Sequence, residues 1–291
     1  MIFDTHCHLQ FKSFDSDRPS VIRRCDKKKL IMNIVGTQAE TSKRAVELAE
    51  KYDNMYATVG LHPIQHDEVV VEEEGDKFKS KNEEFDFDYY SQLIERSKKV
   101  IAVGETGMDA YHVPKDKDLK EVLGEQWKLF LRHLELAQKY SLPLVIHVRD
   151  CHNEMIKRLS AQGGSALGGQ DQNVNTKGVF HCFSGTWGQA QEYLNMGFYL
   201  GFTGVITFPP KKTDPQSQLD LLEVIEKIPL EKLLIETDAP YLAPQKYRGE
   251  RCEPWMVHDV AEKIAEIREM SVEEIENITN ENANKLFYKI K

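Results

Sequence analysis

The chain has 291 residues, of which 41% are hydrophobic and 29% charged, so it is long enough to form one α/β barrel with a sizeable core. Its formal net charge of −9 argues against broad electrostatic adhesion to nucleic acid or anionic membranes, although a metal pocket can still bind a phosphodiester locally. Five cysteines without a CxxC pair, no leader-like start and no membrane-spanning apolar run predict a cytoplasmic protein with no membrane partner.

Short apolar runs alternate with helical patterns along the chain. The predicted strands are Ile2 to Thr5, Leu30 to Val35, Tyr56 to Gly60, Val100 to Gly104, Leu144 to Ile146, Gly178 to Phe180, Phe198 to Thr203 and Leu233 to Glu236. The predicted helices are Glu40 to Lys51, Gln126 to Tyr140, Trp187 to Met196, Leu219 to Ile228 and Val257 to Arg268. Eight strands alternating with helices predict a TIM-type (β/α)8 barrel, with residues 1–291 forming a single domain and, by expectation, a monomer.

Three segments depart from this alternation. Residues 66–90 are rich in Glu, Asp and Lys and read as a solvated surface insertion, with an active-site lid as the less favoured alternative. Residues 163–175 are rich in Gly, Gln and Asn and read as a flexible connector. The C-terminal segment predicts two short helices, the first opened by Ser271 and Glu274 and the second covering Thr279 to Tyr288.

Ionisable residues end five of the predicted strands. They are His6 and His8, Glu105, His147, His181 and Asp238. An unpaired charge at the end of a buried strand is costly, and the carboxyl ends of parallel barrel strands meet at one face, so these six residues predict one shared metal site. Separate helix caps and core histidines would explain one or two of them.

Nitrogen and oxygen donors without thiolates suit Zn²⁺, Mn²⁺ or Mg²⁺, and six donors exceed what one tetrahedral ion takes. We therefore expect two divalent ions, with Glu105 as the bridge and a metal-activated water as the nucleophile. Asp238 is expected to bind metal and to accept a proton, which makes it catalytic together with Glu105. The sequence lacks a dinucleotide fingerprint and a P-loop, which predicts hydrolysis without an organic cofactor.

Further residues surround the predicted ligands. Asp4 and Glu236 share strand faces with His6 and Asp238, so they are expected to orient imidazoles, with a purely structural hydrogen bond as the alternative. His62, Arg149 and the segment Arg251 to Pro254, which includes Glu253, follow strands and are candidates for substrate contact. Cys7 and Cys182 are expected to point away from the site.

Six separated motifs resemble the signatures of the TatD family of metal-dependent deoxyribonucleases. They are DTHCH (4–8), GLHP (60–63), GETGMD (104–109), HVRD (147–150), HCFSG (181–185) and ETDAPYL (236–242). The resemblance implies a metal-dependent hydrolase barrel that binds divalent ions through the six ligands above and cleaves DNA. It also implies that His62 and residues 251–254 face substrate.

Three functions remain open at this stage. The first is a deoxyribonuclease, an exonuclease by preference, acting on single-stranded or damaged DNA. The second is an amide or ester hydrolase such as a D-aminoacyl-tRNA deacylase, because an activated water attacks carbonyls as well as phosphates. The third is a metal-binding scaffold without catalysis, which six intact ligand positions disfavour.

Overall fold

A ring of eight parallel strands builds the centre of the protein in the computed structural model, which describes residues 1–66, 70–73, 76–79, 83–162 and 177–289. The described residues contain ten strands, eight in the ring and two in a separate hairpin (β4 and β5). They are β1 (Ile2–Cys7), β2 (Leu30–Val35), β3 (Met55–Val59), β4 (Val70–Glu73), β5 (Asp76–Lys79), β6 (Val100–Asp109), β7 (Leu144–Arg149), β8 (Gly178–Phe180), β9 (Tyr199–Phe202) and β10 (Leu233–Ile235). All except β4 and β5 follow one another around the ring. The ring closes where Asp238 N donates to His6 O at 2.8 Å and His8 N donates to Ala239 O at 2.7 Å. The predicted barrel is confirmed.

Helices connect the strands and surround the ring. They are α1 (Arg18–Lys27), α2 (Ala39–Ala49), α3 (Phe87–Arg96), α4 (Leu119–Tyr140), α5 (His152–Ala161), α6 (Trp187–Asn195), α7 (Gln216–Lys227), α8 (Val257–Arg268) and α9 (Val272–Leu286). The sequence did not predict α1, α3 and α5. None of the helices in the described residues combines the length and apolar character that a membrane crossing needs.

The C-terminal segment is one helix, so the prediction of two short helices was wrong. Ser271 begins α9 with a capping box, in which Ser271 N donates to the Glu274 carboxylate and Glu274 N donates to Ser271 Oγ. The polar residues in its second half do not break the helix because they bond inward: Thr279 Oγ1 donates to Ile275 O, and the Asn282 amide donates to Leu233 O at 2.9 Å.

The segment expected to be a loop over residues 66–90 contains regular structure. Strands β4 and β5 pair antiparallel, and α3 begins at Phe87. Asp86 caps α3 by accepting a hydrogen bond from Tyr89 N at 2.9 Å, a signal that the charged composition of the segment concealed. Residues 67–69, 74–75, 80–82 and the connector predicted at 163–175 lie outside the described residues, so the lid and connector interpretations remain predictions.

A buried apolar cluster fills the lower barrel beneath the carboxyl ends of the strands. It contains Ile101, Val145, Val179 and Leu234 from the strands and Phe287 from the C-terminal segment. Side chains two residues apart share a strand face, so Val145 lies below His147, Val179 below His181 and Leu234 below Glu236. A buried apolar layer therefore lies directly beneath the polar end of the barrel.

The buried His133 on α4 binds the backbone of the segment after β3, and we expect its contribution to stability to be lost in acid. Its Nε2 accepts from Leu61 N and its Nδ1 donates to Leu129 O, both at 2.9 Å. Burial lowers its pKa to about 3, whereas an unfolded histidine titrates near 6.5. The neutral ring therefore stabilises the fold fully above pH ~6.5 and progressively less as the pH falls towards 3.

We expect His133→Leu to lower the free energy of unfolding by about 1–3 kcal/mol at neutral pH, because Leu61 N would lose its acceptor. The wild type should lose about 1.4 kcal/mol per pH unit from this residue below pH ~6.5, so the gap between the proteins should narrow on acidification. Urea unfolding at several pH values measures the gap. A gap of constant size down to about pH 5 would contradict the assignment.

Candidate metal centre

Glu105 lies at the centre of a buried cluster and turns one carboxylate oxygen towards each half of it. Its Oε2 lies 3.3 Å from His6 Nε2 and 3.8 Å from His8 Nε2. Asp238 Oδ1 completes this group at 3.6 Å from His6 Nε2 and 3.2 Å from His8 Nε2. We call these four donors the Oε2 half.

The second oxygen of Glu105 faces three other imidazoles. Its Oε1 lies 2.7 Å from His181 Nε2, 3.1 Å from His147 Nδ1 and 3.2 Å from His62 Nε2. His147 Nδ1 and His181 Nε2 are 3.2 Å apart. We call Glu105 Oε1, His147 and His181 the Oε1 half. All six predicted ligands thus meet at the carboxyl ends of their strands.

The outer nitrogens of two histidines determine which ring nitrogen carries a lone pair towards the cluster. His8 Nδ1 donates to Val35 O at 2.7 Å, which leaves the Nε2 lone pair facing Glu105 and Asp238. His147 Nε2 donates to Asp109 Oδ2 at 3.1 Å, so Nδ1 is the nitrogen that faces Glu105 and that would bind a metal ion in place of a proton. Both rings are therefore held in the orientation that a metal ligand requires.

His62 has the opposite arrangement, although it lies in the same cluster. Its Nδ1 accepts a hydrogen bond from Ile64 N at 3.2 Å, so in the neutral ring the proton is on Nε2. That proton points to Glu105 Oε1. Burial lowers the pKa of His62, which keeps the ring neutral. His62 is therefore placed as a hydrogen-bond donor beside the ligands.

The cluster stabilises its two carboxylates in the ionised form. Burial favours the protonated form of Glu105, but the imidazoles of His181, His62 and His6 together lower its pKa well below the usual value. For Asp238, burial is likewise outweighed by His8 and the neighbouring imidazoles, and its pKa is lowered. Burial disfavours protonation of His147, yet Asp109 and Glu105 raise its pKa to about 9.

These donors fit divalent metal ions. Around a tetrahedral zinc with Zn–N bonds of about 2.0–2.1 Å, ligand atoms lie about 3.3–3.4 Å apart. The imidazole nitrogens and carboxylate oxygens of the Oε2 half are 3.2–3.8 Å apart, with His6 Nε2 and His8 Nε2 at 3.3 Å, and these separations are close to this spacing. In the Oε1 half, Glu105 Oε1, His147 Nδ1 and His181 Nε2 lie 2.7–3.2 Å from one another, and three protein donors is the number found in catalytic sites that also bind water or substrate. Oxygen and nitrogen donors without sulfur suit Zn²⁺, Mn²⁺ or Mg²⁺.

Asp109 and His112 belong to the site and were missed by the sequence interpretation. Asp109 is fully buried, and its Oδ2 accepts from His147 Nε2 at 3.1 Å and from His112 Nδ1 at 2.8 Å. Its Oδ1 accepts from His112 N at 2.8 Å. The available signal was the position of Asp109 four residues after Glu105, where a strand longer than the predicted one places it at the same barrel end.

The expected orienting roles of Asp4 and Glu236 are only partly matched by their contacts. Asp4 accepts from Thr237 N at 2.9 Å and Thr237 Oγ1 at 2.6 Å, which matches the structural hydrogen bond that the sequence offered as the alternative to orienting an imidazole. The loop after β10 supplies these donors and covers the carboxylate. Glu236 Oε1 lies 3.6 Å from His181 Nδ1 and accepts from Cys182 N. Cys182 Sγ lies 3.5 Å from Thr203 Oγ1, and Cys7 is buried.

The predicted substrate contacts outside His62 have other partners. Arg251 forms a two-pronged ion pair with Asp17, at 2.9 and 2.8 Å. Glu253 forms a second two-pronged pair with Arg24 of α1, at 2.7 and 2.6 Å. These contacts tie the segment after β10 to α1, so they do not support the prediction that Arg251 and Glu253 face substrate. Arg149 lies over the ring of Tyr111 at 3.9 Å.

Comparison with known proteins gives consistent results over nearly the whole chain. A sequence model described as TatD-related DNase matches residues 3–288. YabD of Bacillus subtilis, named as an uncharacterised metal-dependent hydrolase, is 38% identical over 288 residues, which cover 99% of each chain. The crystal structure of YjjV, a TatD homologue from Escherichia coli, superposes with a TM-score of 0.78 at 29% identity, covering 99% of this chain and 98% of YjjV. A TatD family hydrolase from Entamoeba histolytica superposes with a TM-score of 0.76 at 25% identity, covering 99% of this chain and 98% of that one.

Proposed function

The chain belongs to the TatD-related DNase family of metal-dependent hydrolases, and we propose that it hydrolyses phosphodiester bonds of DNA from strand ends, as an exonuclease. The observation that carries this proposal is the division of the cluster by one carboxylate. Glu105 Oε2 faces His6, His8 and Asp238, while Oε1 faces His147 and His181. This arrangement suits a pair of divalent ions bridged by Glu105.

A pair of ions bound there would stabilise charge on the phosphoryl oxygens and lower the pKa of the attacking water. Asp238 is the proposed proton acceptor for that water. Its side chain is 16% exposed, against 4% for Glu105 and 0% for His6, so it lies at the accessible edge of the Oε2 half. Its lowered pKa keeps it ionised and able to accept.

His62 supplies a neutral N–H donor to this chemistry. In the structure the donor is directed to Glu105 Oε1, which helps hold that carboxylate between the two halves. The same N–H lies next to the ligands, where a phosphoryl oxygen of the substrate would need a hydrogen bond. We therefore keep His62 as a proposed substrate contact and propose none for Arg251 or Glu253.

End-labelled DNA tests the proposal. Single-stranded oligonucleotides labelled at the 3′ or the 5′ end should be shortened stepwise in the presence of Mg²⁺, Mn²⁺ or Zn²⁺, and Asp238→Ala should abolish the products. If the DNA stays full-length with every metal and the same preparation hydrolyses an aminoacyl ester, the nuclease proposal is replaced by that of an ester hydrolase. Stoichiometric metal without turnover of either substrate would indicate a scaffold.

We further propose that the protein works in a reducing compartment, the cytoplasm. The five cysteines are all free, and four of them are buried, which suits a chain that has no need of disulfides. The single domain and the monomeric state stay predictions from the sequence.

A further inference from the structure

Tyr111 is an exposed aromatic residue next to the metal centre. Its side chain is 60% exposed, among the largest exposures of any apolar or aromatic residue in the described chain. The Arg149 guanidinium lies 3.9 Å from the ring centroid, and the His112 ring meets the Tyr111 ring edge-on at 4.9 Å. Tyr111 is therefore an aromatic side chain in contact with Arg149 and His112, with much of its area open to solvent.

The backbone fixes this pair close to the ligands. Arg149 follows the ligand His147 by two residues on β7, a distance of about 7 Å along a strand. Asp109 and Arg149 are paired in the register of β6 and β7, and Ala110 N donates to Arg149 O at 2.9 Å. Tyr111 comes one residue later, and its neighbour His112 is bonded to Asp109. The ring thus lies just after the end of β6, next to the end of β7 that carries His147 and Arg149.

We propose that Tyr111, backed by Arg149, is a stacking platform for an unpaired nucleobase of the substrate strand. The inference rests on the proposed function and specifies its substrate as single-stranded nucleic acid or a frayed end. Stacking on an aromatic ring needs a free base face, which an internal base pair in a duplex does not offer. Every base has such a face, so the platform binds without sequence preference.

Charge is the reason such a contact matters for this protein. With a net charge of −9, the chain as a whole repels a nucleic acid over long distances, so binding must come from local contacts at the site. Base stacking does not depend on net charge, and Arg149 adds a local positive charge beside it. The fixed ring also loses little freedom on binding, because Arg149 and His112 already restrict it.

Binding without turnover tests the platform separately from catalysis. The metal-loaded protein is tested with a fluorescein-labelled short oligothymidylate whose phosphorothioate linkages resist hydrolysis, compared with a phosphorothioate strand of equal length whose sugars lack bases. Tyr111→Ala should weaken binding of the oligothymidylate by about 5- to 150-fold, the range for loss of one base stack. Tyr111→Phe should bind like the wild type, because the ring is kept. Tyr288→Ala is the matched control, since Tyr288 is 53% exposed and adjoins Phe287, whose ring packs on Phe3 near the start of β1.

The base-free strand separates stacking from other effects. Tyr111→Ala and the wild type should bind it equally; a loss of equal size on both strands would assign Tyr111 to backbone contact and overturn the proposal. Unchanged oligothymidylate binding by Tyr111→Ala would also overturn it. If the metal-loaded wild type cleaves no unmodified strand, the nuclease proposal fails while these binding results still decide the platform. If it cleaves, Tyr111→Ala should raise KM for the unmodified oligothymidylate with kcat nearly unchanged.

Discussion

Glu105→Ala should reduce hydrolysis by more than about 100-fold, beyond the 10- to 100-fold that follows loss of a side chain that only orients a ligand. The reason is its position, since each oxygen of Glu105 belongs to a different half of the centre. Removing the carboxylate takes one donor from both halves at once. It also removes the negative charge that lies within 3.3 Å of four imidazoles.

Metal content provides a second and more specific measurement of the same variant. Glu105→Ala should lose affinity for both ions, whereas Asp238→Ala should weaken chiefly the ion of the Oε2 half, where Asp238 Oδ1 lies 3.6 Å from His6 Nε2 and 3.2 Å from His8 Nε2. Elemental analysis of dialysed protein and calorimetric titration of metal-free protein both report this difference.

Glu105→Gln is a second variant that still tests the carboxylate if Glu105→Ala fails to fold. The amide has nearly the same size as the carboxylate, but its nitrogen cannot bind a metal ion, so one half should still lose its ligand. Near-ultraviolet circular dichroism and thermal unfolding identify any variant that has lost the fold. Two tightly bound ions in folded Glu105→Ala would refute the bridging role, as would wild-type turnover.

The clustering of the six candidate ligands was predictable because two simple rules act together at the strand ends. Period two in a strand places Val145 with His147 and Val179 with His181, and parallel strands in a barrel direct their carboxyl ends to one face. Apolar residues that face the barrel interior therefore lead directly to the residues that carry the chemistry. No long-range information was needed beyond the closure of the barrel.

The residues that the sequence missed or misplaced depend on contacts between distant segments. The predicted strand ended at Gly104, but β6 continues to Asp109 through an irregular register between Val103 and Thr106. Arg251 and Glu253 bind residues in or next to α1, a helix that the sequence did not predict. Neither the partner of a charged side chain nor a register shift can be read from local periodicity.

Asp109 is the contact whose loss should have the second-largest effect on the centre. One carboxylate accepts three hydrogen bonds, from His147 Nε2, His112 Nδ1 and His112 N. Although burial favours its protonated form, the imidazoles of His112 and His147 lower the pKa of Asp109 far below the usual value, so it is ionised at neutral pH. Its negative charge makes His147 more basic and fixes the tautomer that presents Nδ1 to the metal.

Asp109→Asn keeps the size of the side chain but turns an amide NH₂ group towards groups that are themselves donors. We expect the affinity of the Oε1 half for its ion to fall by about 10- to 100-fold, with the Oε2 half unchanged. Calorimetric titration should show that Asp109→Asn and Asp238→Ala weaken different steps. The matched control is Asp118→Asn, which removes the same charge from the cap of α4, where asparagine caps equally well. Equal weakening of both steps by Asp109→Asn would mean a general loss of fold, and an unchanged titration would mean that the carboxylate does not act through His147.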